Sequence, residues 1–128
     1  MKVLAAIPCY NERLAIGSVA LLARNHVDEV LVVDDGSSDG TADVAREAGA
    51  TVIRHEQNKG KGAAVKTALY YAAANDFDAL VLLDGDGRHD PDQIPQLLQP
   101  LNDGTADIVI GYRELTQMPG SARARTFN

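Results

Sequence analysis

Five short apolar runs, each followed by a break and then by a helix-like stretch, constrain the fold of this chain more than any other feature. The runs are Lys2–Ile7, Glu29–Val33, Ala50–Arg54, Ala79–Leu83 and Asp107–Ile110. They are almost continuously apolar rather than alternating, the pattern of strands buried on both faces of a parallel sheet. Helices are expected over Arg13–Arg24, over Thr41–Ala48 with Gly49 at its end, from Gly60-Lys61-Gly62 to about Ala74, and over Pro91–Leu101. The alternation predicts a doubly wound α/β fold, Rossmann-like and three layers thick, with right-handed crossovers. Ligands of such sheets bind beyond the carboxyl ends of the strands, so chemistry-bearing residues belong just after them.

Composition narrows the class. With 128 residues, 45% of them hydrophobic, the chain suits one domain around one core. Lys and Arg number 12 against 18 Asp and Glu, a net charge of −6, which argues against nucleic acid as a partner. No run approaches the ~20 apolar residues of a membrane span, and no leader precedes the first strand. Cys9 alone cannot form an internal disulfide or a thiolate zinc cage, and a cytoplasmic location is expected. Asp supplies 13 of the acidic residues, eight of them from Asp76 to Asp107. Asp is short and suits turns, N-caps and hard-cation ligation better than solvated helix faces.

The strand ends carry the candidates. After the second run comes Asp34-Asp35-Gly36-Ser37-Ser38-Asp39-Gly40-Thr41. Its adjacent carboxylates point in different directions, so Asp35 either accepts hydrogen bonds from a base or ribose or holds the loop, while Ser38 and Asp39 read as turn and cap residues. After the fourth run comes Asp84-Gly85-Asp86-Gly87-Arg88. In extended backbone, Asp84 and Asp86 share a side and can converge on Mg²⁺ or Mn²⁺. Arg88 and His89 fall where a calcium-binding loop needs an oxygen ligand and glycine, so that loop type is excluded. Gly60-Lys61-Gly62 suggests anion binding at a helix start, although Gly62 equally suits a plain turn with tight packing. It matches neither a P-loop nor a dinucleotide fingerprint. Arg113 follows the fifth run on the same sheet edge and either reaches a phosphate or is solvated. Cys9 and His26 read as structural, and His55 is open.

Taken in order, Ile7-Pro8-Cys9-Tyr10-Asn11-Glu12, Val33 to Thr41, Asn58 to Ala64, Leu83 to Gly87 and Ile110-Gly111-Tyr112-Arg113 resemble the nucleotide-sugar domain of the family 2 glycosyltransferases. The Gly-Lys-Gly element and the Gly-x-Arg ending resemble the dolichyl- and polyprenyl-phosphate mannose or glucose synthase branch. The resemblance implies a GT-A fold and an NDP-sugar donor, GDP-mannose or UDP-glucose, used with Mg²⁺ or Mn²⁺. It implies a polyprenyl or dolichyl phosphate acceptor at the cytoplasmic membrane face. It places Pro8, Tyr10 and Glu12 along the base and ribose, Asp35 toward the base, Asp84 and Asp86 on the metal, and Lys61, Gly85, Arg88 and Arg113 toward the donor.

The chain departs from that pattern in two ways. Arg88 stands where the branch carries a short polar residue, and a guanidinium cannot ligate a cation, which points it at the diphosphate instead. Residues 1–112 account for the donor domain, and 113–128 form a polar, basic tail toward an acceptor region whose acidic base has no match here. The edge of the fifth strand is then expected to be open, a route to self-association. Two alternatives remain at this stage. One is a nucleotide-sugar-binding module without turnover. The other is a haloacid-dehalogenase-like phosphatase with Asp84 as nucleophile and Asp86 as acid/base.

Overall fold

The structure is a computed structural model. It describes the backbone of residues 1–88, 90–102, 108–111 and 124–127, and the side chains of 1–88 and 90–99. Among these residues the strands are β1 (Val3–Cys9), β2 (Glu29–Asp34), β3 (Thr51–Arg54), β4 (Ala79–Leu82), β5 (Ile108–Gly111) and β6 (Ala124–Phe127). The helices are α1 (Arg13–Ala23), α2 (Thr41–Glu47), α3 (Lys61–Ala74) and α4 (Ile94–Asn102), the last entered through a 3-10 turn at Pro91–Gln93. The strands form one sheet in the order β3-β2-β1-β4-β5-β6, with every neighbouring pair parallel.

Two apolar layers hold helices against the sheet. On one face, Val3, Ala5, Ile7 and Cys9 of β1 pack with Val30, Val32 and Val81 under α1, α2 and α4. Ile16, Val19, Ala20 and Ala23 supply the α1 side of that layer, at the three- and four-residue spacing that makes one helical stripe. On the other face, Leu4, Ala6, Leu31, Val33, Leu80 and Leu82 lie under α3, which contributes Ala64, Ala68 and Ala72. Small residues at every fourth position let α3 sit close to the sheet. Burying each large aliphatic side chain contributes about 1.5–3 kcal/mol.

Two features depart from the sequence reading. The edge of β5 is not open, because Ala124–Phe127 pairs with Ile108–Gly111 in parallel, so part of the basic tail is a sheet strand. The expectation of a single crossover hand also fails at the last connection. α1 and α4 lie on the same face, yet β2 and β5 lie on opposite sides of β1. Two crossovers over one face that move in opposite directions must have opposite hands. α1, α2 and α3 share one hand, and α4 has the other. The 3-10 turn before α4 gives the local reason. It docks beside α1, with Asp92 accepting from His26 Nε2 at 2.8 Å, and so directs α4 onto the α1 face. No helix among the described residues is long and apolar enough to cross a membrane.

The close seat of α3 makes a test. Ala68 is fully buried, and Ala68→Leu should destabilise the chain by about 1–3 kcal/mol through overpacking. Leu69→Ala, at the half-exposed neighbouring position, should stay within about 0.5 kcal/mol. Urea denaturation of both variants reads the difference, and a neutral Ala68→Leu would show a wider gap beneath α3.

Candidate functional site

The strand order reverses at β1, where β2 lies on one side and β4 on the other. Chains leaving neighbouring strand ends diverge there and open a crevice. A cleft of about 460 Å³ occupies that position. Pro8, Cys9, Tyr10 and Glu12 line it from the end of β1, and Asp35 from the end of β2. Asn58, Gly60, Lys61 and Ala64 line it from the start of α3, and Asp84, Gly85 and Asp86 from the loop after β4.

The loops after β1 and β2 are stitched together by side chains. The Asn11 amide donates to Ser37 Oγ at 2.8 Å, and the Ser38 amide donates back to Asn11 Oδ1 at 2.9 Å. α1 has no side-chain cap of its own. Its first amides are met from across the crevice instead, Glu12 N–H by Thr41 Oγ1 at 3.0 Å and Arg13 N–H by Asp39 Oδ2 at 3.2 Å. Asp39 also accepts from the Thr41 amide and hydroxyl, which carries its carboxyl below the usual range. The turn-and-cap reading of Asp39 and Ser38 therefore describes their bonds. Asp34 faces the α1 side, where its Oδ1 accepts from Ser37 N–H at 3.0 Å. Its buried Oδ2 has no hydrogen-bond partner among the described residues and lies 3.8 Å from Arg54 Nε, while Arg54 Nη2 donates to Ser37 O at 2.7 Å.

Asp35 faces the α3 side. Its Oδ1 accepts from His55 Nδ1 at 2.8 Å and from Lys59 N–H at 2.9 Å, and its Oδ2 accepts from Gly60 N–H at 2.8 Å. Burial alone would raise this carboxyl. The Lys59 amide, the His55 ring and the Gly60 amide outweigh burial and hold it below its ordinary value. The helix start at Gly60 thus meets an anion, and that anion is Asp35 itself. His55 extends the network, with Nε2 2.8 Å from Thr67 Oγ1 on α3.

The loop after β4 holds the other two carboxylates. β4 ends at Leu82 and the chain turns at Gly85-Asp86, so Asp84 and Asp86 reach the cleft through a turn, not along the extended strand assumed from sequence. Lys61 Nζ donates to Asp84 Oδ1 at 2.8 Å. Asp86 Oδ1 accepts the Arg88 amide at 2.9 Å, with Arg88 Nε 3.3 Å from Oδ2. A Cβ placed on Gly85 would meet Cys9 Sγ at 2.5 Å, so this glycine is there for close approach, whereas Gly87 takes φ +80°. Burial, with Asp86 and Asp39 next, raises the Glu12 carboxyl despite Arg88 nearby. Burial likewise pushes the Cys9 thiol far up, which leaves it a neutral filler beneath the loop.

Of the residues singled out from sequence, Pro8, Tyr10, Glu12, Asp35, Lys61, Asp84, Gly85 and Asp86 all line this cleft. Arg88 does not line it and lies outward on Asp86. Arg113 lies outside the described residues. Gly62 faces open space, so the tight packing considered for it is not found. Sequence reasoning missed His55 as the partner of Asp35, since nothing in the spacing links a residue after β3 to one after β2. It also took Cys9 as structural without placing it at the cleft wall.

The family model described as glycosyl transferase family 2 matches residues 5–127. The UDP-N-acetylglucosamine–dolichyl-phosphate N-acetylglucosaminyltransferase of Methanococcus voltae is 35% identical over 84% of this chain and 50% of its own length. The undecaprenyl-phosphate mannosyltransferase of Micrococcus luteus is 38% identical over 90% of the chain and 49% of its own. The chain spans about half the length of the curated relatives it matches. Among solved structures, the glucosyl-3-phosphoglycerate synthase of Mycobacterium tuberculosis with Mg²⁺ and UDP superposes with a TM-score of 0.72 at 31% identity. That likeness covers 87% of this chain and 43% of the synthase. The same enzyme with Mn²⁺, UDP-glucose and phosphoglyceric acid gives 0.73 at 32% identity. These matches remove the phosphatase alternative, whose nucleophile loop follows a first strand, not a fourth.

Two outcomes follow from the geometry. Asp35→Asn should cost about 1.5–3 kcal/mol of stability at pH 7, as expected for hydrogen bonds to a charged group. A carboxyl lowered in the folded state contributes stability above its unfolded value and loses it as pH falls through the folded one. The gap between wild type and variant should therefore close in acid below the ordinary value of 3.8, and a gap independent of pH would contradict the bonding described. Gly85→Ala should destabilise by about 1–3 kcal/mol, and Cys9→Ala in the same chain should recover much of that, as calorimetric melting would report.

Proposed function

The chain belongs to glycosyl transferase family 2, and on that premise we propose that it forms the nucleotide-sugar site of a hexosyltransferase. The donor is a GDP- or UDP-sugar and the acceptor a polyprenyl phosphate. The observation that carries this reading is the gathering of Asp35, Lys61, Asp84 and Asp86 around one cleft at the strand-order reversal. In the reaction the bond from the anomeric carbon to the donor diphosphate breaks, an acceptor oxygen takes its place, and the nucleoside diphosphate leaves.

The donor chemistry of Asp84 and Asp86 suits a hard divalent cation. Among the described residues no group of three or more such ligands gathers, so a bound diphosphate would have to complete the shell. Asp84 and Asp86 are oxygen donors on one turn, their side chains 27% and 30% exposed, and a lysine ammonium already stands on Asp84. Asp84 and Asp86 would hold Mg²⁺ or Mn²⁺, which when bound supplies positive charge to the departing diphosphate. Tyr10, half-exposed at the lip, offers a ring face to a base, with Pro8 and Glu12 beside it. Asp35 Oδ2 accepts from Gly60 N–H, which leaves acceptor capacity for a base or ribose donor. Gly85 would let the donor approach the backbone, with Lys61 at the cleft and Arg88 on its outer side supplying positive charge to the diphosphate. Arg113 is proposed to join them from the end of β5. A polyprenyl acceptor places the protein at the cytoplasmic membrane face, and a second copy is a further partner to test.

Calorimetric titration of UDP and of GDP tests the reading. Binding should be about tenfold tighter or more with Mg²⁺ or Mn²⁺ than in EDTA, ~1.4 kcal/mol per decade. Equal affinity in EDTA would remove the metal role, and no binding of either nucleotide would overturn the donor site.

A further inference from the structure

Asp84 and Asp86 in the loop after β4 are each met by a basic side chain. Lys61 Nζ lies 2.8 Å from Asp84 Oδ1, and Arg88 Nε lies 3.3 Å from Asp86 Oδ2. The two cations come from different places, Lys61 from the first turn of α3 and Arg88 from beyond the turn itself. Both side chains are more than half exposed, at 57% and 61%, so their long stems can swing without disturbing the core. Within these two pairs two carboxylates face two monovalent cations, and the Glu12 carboxyl is near enough to feel Asp86, Arg88 and Asp84.

We propose that these ion pairs are place-holders, and that a divalent cation and the two basic side chains exchange on Asp84 and Asp86. This rests on the donor-site reading above and goes beyond it. One divalent cation replaces two monovalent groups charge for charge, so the carboxylate pair stays neutralised throughout. The cation and the Lys61 ammonium cannot share Asp84 Oδ1, because like charges at contact distance repel strongly in a partly desolvated cleft. Release of Lys61 and Arg88 then supplies two positive charges at the cleft mouth, matching the two negative charges of a nucleotide-sugar diphosphate. The same exchange explains how Arg88 serves the site although it cannot ligate a metal. Cation and nucleotide binding become coupled because each favours the swung-out side chains.

The sign of the effect makes the proposal testable, since removing a residue that binds the donor should strengthen cation binding. Mn²⁺ alone is titrated into the full 128-residue chain, with free Mn²⁺ read by its electron paramagnetic resonance signal. Lys61→Met should bind Mn²⁺ several-fold tighter than wild type, and Arg88→Met should do so to a lesser degree. Lys66→Met is the control for net charge, because Lys66 lies further along α3 with its ammonium 5.8 Å from the Tyr70 ring centroid, and it should leave the affinity near that of wild type. UDP should tighten Mn²⁺ binding in the wild type and do so less in Lys61→Met. Circular dichroism confirms the fold of each variant. Unchanged or weaker Mn²⁺ binding in Lys61→Met, with UDP and Mn²⁺ still bound by the wild type, overturns the exchange and leaves the donor site standing. An equal gain in Lys66→Met would reduce the effect to net charge and also overturn it. A wild-type chain that binds neither Mn²⁺ nor UDP would remove the donor-site reading itself, and the exchange with it.

Discussion

The carboxylate of Asp35 is where the ends of β2, β3 and α3 meet. It accepts from the His55 ring just after β3, from the Lys59 amide and from the amide of Gly60, the residue that opens α3. The Lys59 and Gly60 amides lie at the start of α3, where backbone N–H groups have no intrahelical acceptor, and Gly60 N–H is shared with Asn58 Oδ1. A buried carboxylate with several donors is stable in its ionised form, and it returns that stability by fixing the three segments. Asp34, one residue earlier, does the same work on the opposite face through Ser37 and Arg54. Period-two alternation at a strand end thus divides two adjacent acids between two faces, and the cleft floor follows from that division.

The layering was legible because buried parallel strands leave an unusual mark. Val30 to Val33 and Leu80 to Leu82 are apolar at every position, since each face of the sheet must be covered. The hand of the last crossover was not legible, since it depends on a contact between the 3-10 turn and α1 that no local pattern announces. β6 was unreadable for a different reason. Ala124–Phe127 contains two polar residues in four, and an edge strand needs no apolar face on its outer side.

The site was legible where residue type determines chemistry. Asp84 and Asp86 stood out because two hard oxygen donors spaced two apart at the end of a buried strand can converge on one cation. Their geometry was read less well, since the turn at Gly85-Asp86 lies close against Cys9 at the end of β1, an approach that no local spacing announces. Asp35 was recognised as a candidate with two readings, and its bonds show that it anchors the loop whatever else it binds. The role of His55 could not be read, because the pairing joins residues 20 apart through the register of β2 and β3. Long-range hydrogen bonds of that kind leave no spacing signature.

Charge is the constraint that ties these elements to function. A chain of net charge −6 that lines a cleft with Glu12, Asp35, Asp84 and Asp86 repels a diphosphate unless cations intervene. Asp35 is already engaged by protein donors, which removes it from that conflict. Glu12 shows the conflict directly, its carboxyl raised first by burial and then by Asp86 and Asp39. The loop after β4 resolves it locally, with a basic side chain standing on each acid. On the proposed donor reading, an anionic ligand at this cleft meets positive charge from Lys61 and Arg88 and from a bound metal. Under the proposed exchange, a cation and a diphosphate arriving together are favoured over either arriving alone.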